Sequence, residues 1–355
     1  MNNNVQKSQI GRFGWIAGIG LIVVIALYFG WNTFSTSRDG VVTDDTPASS
    51  FDTDVSFRLK WILYSGWAGE LLADSEGFWE EEGLSVSMNP GGFELDPLRL
   101  VASGADEIGV AGADQILIAR ERGLPLVAFA VQYQLHPVGF VSHQDSGIEG
   151  VEDFAGKRVG VKFGTDAEPI YRALLALEGV PPNTVTEVPV KFDLSPFYTR
   201  QIDIYPGYVT SDLLLPEEQG VPVNTIRAID YGVRVYGNVY FTTAEYLREN
   251  PETVRRFLRA VTKGWQTALQ LPPERIAELA VRYNDSLDLK HETAVAESLP
   301  PYLVPEGISF GSMTTRGWEE LYNLLRKQGV LREDFEWEEA FTLEFVSPNE
   351  TSTSP

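Results

Sequence analysis

Cysteine is absent from this chain of 355 residues, which removes disulfides, thiolate metal sites, a cysteine nucleophile and a cysteine-linked lipid anchor. Histidine is nearly as scarce: His136, His143 and His291 are the only three, and they leave little room for metal or acid–base chemistry. Positive charge is also short. With 28 Lys and Arg against 50 Asp and Glu, the formal net charge is −22. A nucleic-acid binder needs a basic face that releases counterions, so DNA and RNA are excluded as partners. What remains is a chain 43% hydrophobic and 12% aromatic, long enough for two domains.

All 50 acidic residues lie beyond the first 38, which carry only Lys7, Arg12 and Arg38 as charged side chains. Between them, Phe13 to Trp31 runs uncharged. As a helix rising about 1.5 Å per residue it would measure about 28 Å, close to the hydrocarbon thickness of a bilayer. Basic residues before the run and acidic ones after it (Asp39, Asp44, Asp45) favour a cytoplasmic N-terminus, residues 1–12, and an exported body. A transmembrane anchor over 13–31 is expected; a cleaved signal peptide is the alternative, and both put the body outside the cytoplasmic membrane. Residues 32–56, rich in Ser, Thr and Asp, read as a flexible linker, so folding is expected to begin near Phe57.

From there short β-rich runs alternate with helical ones. Strands are expected at Phe57 to Leu63, Leu84 to Met88, Glu107 to Val110 and Leu126 to Val131, and again at Arg158 to Val161, Val185 to Val190, Ile202 to Tyr205 and Val223 to Ile226. Such βαβ punctuation favours parallel sheets covered by helices. Asn250 and Pro251 open a helix whose Val254, Phe257, Leu258, Val261 and Trp265 share one face. Two βα sets are joined by extended segments, Gln132 to Ser142 and Ile229 to Thr242. This predicts two α/β lobes: 57–140 with 236–345, then 141–235, followed by a tail over 346–355. A ligand cleft is expected between the lobes.

Several runs carry a family resemblance. They are Trp61 in the first strand, Gly77-Phe78-Trp79-Glu80-Glu81-Glu82-Gly83-Leu84, Pro90-Gly91-Gly92, Val101 to Val110, Gly112-Ala113-Asp114-Gln115 and Gly156-Lys157-Arg158-Val159-Gly160-Val161. Over roughly 57 to 345 the chain resembles the substrate-binding proteins of ABC importers, in the branch that holds the thiamine-pyrimidine precursor and riboflavin receptors and the yeast thiamine pyrimidine synthase. The resemblance implies a type II periplasmic-binding-protein fold, a small heterocyclic ligand, and an ABC permease with its ATPase as partners. It implies no cofactor for a receptor. Sulfonate and nitrate receptors share the architecture.

The residues themselves point to a flat, weakly charged ligand. Trp61, Trp67, Tyr205 and Tyr208 fall at strand ends or in the loops after them, where an open α/β sheet presents side chains to its cleft. Aromatic rings there would stack a heterocycle, or else pack in the core. Asp114, Gln115, Ser211 and Asp212 could read ring nitrogens and an exocyclic amine, although both pairs also suit helix capping. The family more often has Asn-Glu where Ser211-Asp212 stand. Gly92 joins the set through its Pro-Gly-Gly run. Gly164 and Thr165 open a helix whose N–H groups could hold an oxyanion, but Asp166 and Glu168 sit in the same turn and would repel one. Lys162 is a further contact candidate.

The synthase reading would require an iron-dependent reaction that consumes pyridoxal phosphate and one of the enzyme's own histidines. No cysteine-rich segment exists here, and the loop Ser85 to Leu98 has neither Lys nor His. A receptor rather than an enzyme is expected.

Overall fold

Val55 and Phe57 are buried between more accessible polar neighbours, and this period of two builds the first strand, β1, over Thr53–Arg58. In this computed structural model the described residues are 53–92 and 95–346; the expected N-terminal segment 1–12, the anchor at 13–31 and nearly all of the linker lie outside them. The chain thus enters its sheet four residues earlier than Phe57. The cause is pairing: β1 runs parallel to β2 (Leu84–Asn89) from Thr53 opposite Leu84 to Arg58 opposite Asn89. It also leaves earlier than expected. The Leu59 N–H makes a last bond to the Asn89 carbonyl at 2.9 Å, and residues 60 to 64 form a loop instead of strand.

The other strands are β3 (Ile108–Gly112), β4 (Leu126–Val131), β5 (Val138–His143), β6 (Arg158–Val161), β7 (Thr186–Pro189), β8 (Ile204–Tyr208), β9 (Val223–Arg227) and β10 (Asn238–Thr243). They form two five-stranded sheets, ordered β2-β1-β3-β10-β4 and β7-β6-β8-β5-β9. Both segments read as extended joins in fact carry a strand. β5 pairs antiparallel with β8 and β9, and β10 pairs antiparallel with β3 and β4. Their Val138, Phe140, Val141, Val239, Tyr240 and Phe241 are buried, because a strand flanked on both sides must be apolar on both faces. The sheets are therefore mixed and not purely parallel. The chain passes from one sheet to the other between β4 and β5 and returns between β9 and β10.

Helices cover the sheets. Pro251–Ala268, with Asn250 at its N-cap, buries Val254, Phe257, Leu258, Val261 and Trp265 as its spacing predicts. It packs on Ala68–Ser75 with almost no gap: a Cβ placed on Gly264 would lie 2.0 Å from the Gly69 carbonyl oxygen, so only glycine permits this approach.

Candidate functional site

The loop after β1 carries Lys60 and Trp61 toward the second sheet. Its path depends on Gly91, whose N–H donates to the Trp61 carbonyl at 2.9 Å; a Cβ there would sit 2.2 Å from the Leu59 carbonyl. Neighbouring Gly92 has φ +152°, which also demands glycine. The Pro-Gly-Gly run thus shapes the loop that bears the site.

Lys60 bridges the sheets. Its ammonium donates to Asp166 Oδ2 at 2.6 Å, to the Tyr208 hydroxyl at 2.9 Å and to Asn238 Oδ1 at 3.1 Å. Asp166 stands at the N-cap of the helix Ala167–Leu177, following β6, and Tyr208 ends β8; both belong to the second sheet. Asn238 begins β10 of the first. Tyr208 also donates its hydroxyl to Asp166. His136, in the crossing between β4 and β5, sets its Nε2 3.4 Å from Asp166 Oδ2 and its ring edge-on to Tyr208. Burial pushes the Asp166 carboxyl up, but Lys60 and His136 outweigh it and hold it well below the usual carboxylate range. Asp114 behaves oppositely. Burial, and then the Asp166 charge, raise its carboxyl to about 6, with His136 and Lys60 opposing, and its buried Oδ1 accepts no hydrogen bond.

An aromatic column stands beside this cluster. The Trp61 ring lies 4.9 Å from that of Phe192 at 31°, again across the two sheets. Lys162 Nζ sits 4.4 Å from the Phe192 centroid and 4.7 Å from that of Tyr205, and it donates to Asp212 Oδ2 at 2.8 Å. Asp212 in turn accepts the Tyr208 N–H at 2.7 Å.

The candidate residues therefore divide. Trp61, Tyr208, Asp114, Asp212 and Lys162 stand at or beside the contacts between the two sheets. Tyr205 is fully buried, one face under Lys162 and its hydroxyl donating to the Lys191 carbonyl at 2.9 Å. Trp67 lies in the core of the first sheet, 1% exposed, with its indole N–H donating to the Ile62 carbonyl; it offers no face to a ligand. Gln115 accepts the Gly112 N–H and so caps its own helix. Ser211 bonds locally, its N–H to the Tyr208 carbonyl. Gly164 and Thr165 are committed as well: the Gly164 N–H donates to Glu168 Oε2 at 2.9 Å and the Thr165 hydroxyl to the Lys162 carbonyl at 2.7 Å. An oxyanion would have to displace a carboxylate from that turn. Lys60, Phe192 and Asn238 are not singled out by the sequence, and His136 and Asp166 figure there only as a scarce histidine and as a carboxylate that would repel an oxyanion.

Cross-sheet aromatic contact, a lysine bridging to a carboxylate and the two chain crossings bring these side chains together where the two sheets meet. Among the described residues no group of three His, Asp or Glu side chains could hold a metal ion.

A family model described as NMT1/THI5 like matches residues 65–275. The chain belongs to this family. It is 27% identical over 328 residues to the formylaminopyrimidine-binding protein of Halalkalibacterium halodurans, covering 90% of this chain and 97% of that one. It is also 27% identical over 305 residues to the riboflavin-binding protein RibY of Chloroflexus aurantiacus, covering 82% and 86%. The periplasmic aliphatic sulphonate binding protein SsuA of Escherichia coli superposes with a TM-score of 0.68 at 15% identity, over 81% of this chain and 97% of that one. At that identity the match shows the fold: this NMT1/THI5-like chain has the two-sheet α/β architecture of periplasmic binding proteins.

Proposed function

We propose that the chain is an extracytoplasmic receptor that closes on a flat nitrogen heterocycle, an aminopyrimidine of the thiamine-precursor type, and delivers it to an ABC permease and its ATPase. Trp61 facing Phe192 across the two sheets carries this reading. A planar ring entering between them gains stacking on both faces, about 1–3 kcal/mol per ring contact, and it does so only when the sheets come together. Asp114, whose buried Oδ1 accepts no hydrogen bond, is the candidate acceptor for an exocyclic amine. The two relatives of comparable identity, named for binding formylaminopyrimidine and riboflavin, support the heterocycle class. The commitment of Gly164 and Glu168 to one another argues against a sulfonate.

The chain is a binding protein and not an enzyme. Both of those relatives are named as binding proteins. Residues 13–31, as a single anchoring helix, would hold the body at the outer face of the cytoplasmic membrane.

Calorimetry with 4-amino-5-hydroxymethyl-2-methylpyrimidine, its formylamino analogue, riboflavin and an alkanesulfonate tests the ligand class. Saturable binding of a pyrimidine is expected; tight binding of the sulfonate alone would sink the reading. Protease added to intact spheroplasts should degrade the body, and full protection would refute the location.

A further inference from the structure

The two sheets are joined a second time, through elements other than those around Lys60. The helix Leu289–Ser298 belongs with the first sheet: its Glu292 accepts the Ser65 N–H at 2.7 Å, and its Val295 and Ala296 pack in the core that holds β1. Both ends of this helix nevertheless reach across. His291 sets its Nδ1 3.0 and 3.1 Å from the two carboxylate oxygens of Glu218. Glu218 ends the short helix Leu215–Glu218, whose Leu215 packs with Val141, Tyr205 and Val223 of the second sheet. At the other end Ser298 Oγ donates to the carbonyl of Thr210, in the loop after β8, at 3.3 Å.

We propose that the helix Leu289–Ser298 is a strap, and that it and Lys60 form a two-point clasp which closes the two sheets on one another through protein contacts alone. This goes beyond the receptor reading, because closure becomes a resting property of the chain instead of something a ligand has to create. Every partner in both contacts is a protein group, and between them Trp61 meets Phe192 directly. The strap contact does not depend on the charge of the imidazole, since an Nδ1–H donates to a carboxylate in either state. The two points differ in strength. The His291 and Glu218 side chains are 18% and 19% exposed, so solvent screens them and the pair shifts the closed-to-open ratio by about fivefold at most. Asp166 is 8% exposed, and removing Lys60 would leave its carboxylate buried without a counter-ion, so Lys60 is the stronger point.

A chain without cysteine makes the clasp directly readable. In the full-length protein with no ligand added, a short bismaleimide should join His291→Cys to Glu218→Cys, and adding Lys60→Met should slow that crosslink by about fivefold or more. A purely local role for Lys60 would leave the rate unchanged. Dyes on Leu177→Cys, at the end of the helix Ala167–Leu177, and on Leu271→Cys, just after the helix Pro251–Ala268, read the same equilibrium by energy transfer with the strap intact; both positions are exposed. One closed population is expected in the otherwise wild-type chain, and a second, open one in Lys60→Met. Far-UV circular dichroism separates opening from unfolding. Should Lys60→Met fail to fold, Glu218→Ala with Ser298→Ala carries the test, and it should raise the open-to-closed ratio by about fivefold. A crosslinking rate indifferent to Lys60, a dye distance unchanged in these variants, or an otherwise wild-type chain that is mostly open until a ligand is added would overturn the proposal. None of these outcomes depends on which compounds bind in calorimetry, so the clasp and the ligand class fail separately.

Discussion

Trp61 and Phe192 meet ring to ring at 4.9 Å although 131 positions separate them and they extend from different sheets. Phe192 is 40% exposed on its loop, so the contact is made at an accessible edge and not in the core. Replacing Trp61 with Ala should weaken ligand binding by about 1–3 kcal/mol, with the melting temperature little changed. Calorimetry and thermal unfolding on the same preparation check both halves. Phe192→Ala should behave alike; a large loss of stability in either variant would mean that the pair is structural.

Trp67 provides the contrast. It is buried against the first sheet, edge-on to Tyr64 with ring centroids 6.0 Å apart. Trp67→Ala removes a full indole from a packed interior and should cost about 3–5 kcal/mol of stability. Urea unfolding measures it, and a cost below about 1 kcal/mol would return Trp67 to the cleft.

Asp212 should prove more important to the lobe than to ligand choice. It neutralises Lys162, whose side chain is only 4% exposed, and holds the Tyr208 N–H. Asp212→Asn keeps the shape but leaves Lys162 without its counter-ion. A buried pair broken from one side costs about 3–5 kcal/mol, and less is expected here because the Asp212 side chain is 21% exposed. Thermal unfolding should therefore show a clear drop in Tm before any change in ligand preference is seen.

Stability should fall with rising pH as buried carboxyls ionise, Asp114 through about 6 and Glu70 through about 7. Glu70, on the helix Ala68–Ser75, is fully buried and accepts a hydrogen bond from the Tyr240 hydroxyl, whose oxygen also accepts the Trp265 N–H at 3.2 Å. Burial raises its carboxyl from 4.5 to about 7, against those hydrogen bonds. The folded state thus prefers the protonated acid. Its contribution is complete below about pH 4.5 and is lost as pH climbs through about 7, about 3 kcal/mol in all. Glu70→Gln should match the wild type in acid and exceed it at pH 8, with a flatter Tm profile. Parallel profiles for the two proteins would show that Glu70 does not titrate in this range.

The acidic, cysteine-free composition, the strand β2, the one-faced helix after Asn250 and the glycine-bounded turns are all local properties, and the sequence by itself determined them; β1 was not among them, because pairing with β2 sets its start at Thr53 inside the run read as linker. Periodicity reports which face of an element is apolar, and short-range sterics report where it stops. Even the family could be read from contiguous runs such as Gly77 to Leu84. Local pattern could not say that Val138 to His143 and Asn238 to Thr243 are central strands, because a fully buried strand has no alternation and its partners lie far along the chain. Nor could it separate Trp61 from Trp67. Six residues apart and equally aromatic, they differ only in what the fold puts against them: Phe192 from the second sheet in one case, the interior of the first in the other. The Lys60 cluster was decided by tertiary structure alone. Asp166, Tyr208 and Asn238 carry no shared sequence signal, and only the two chain crossings bring them within 3.1 Å of one ammonium.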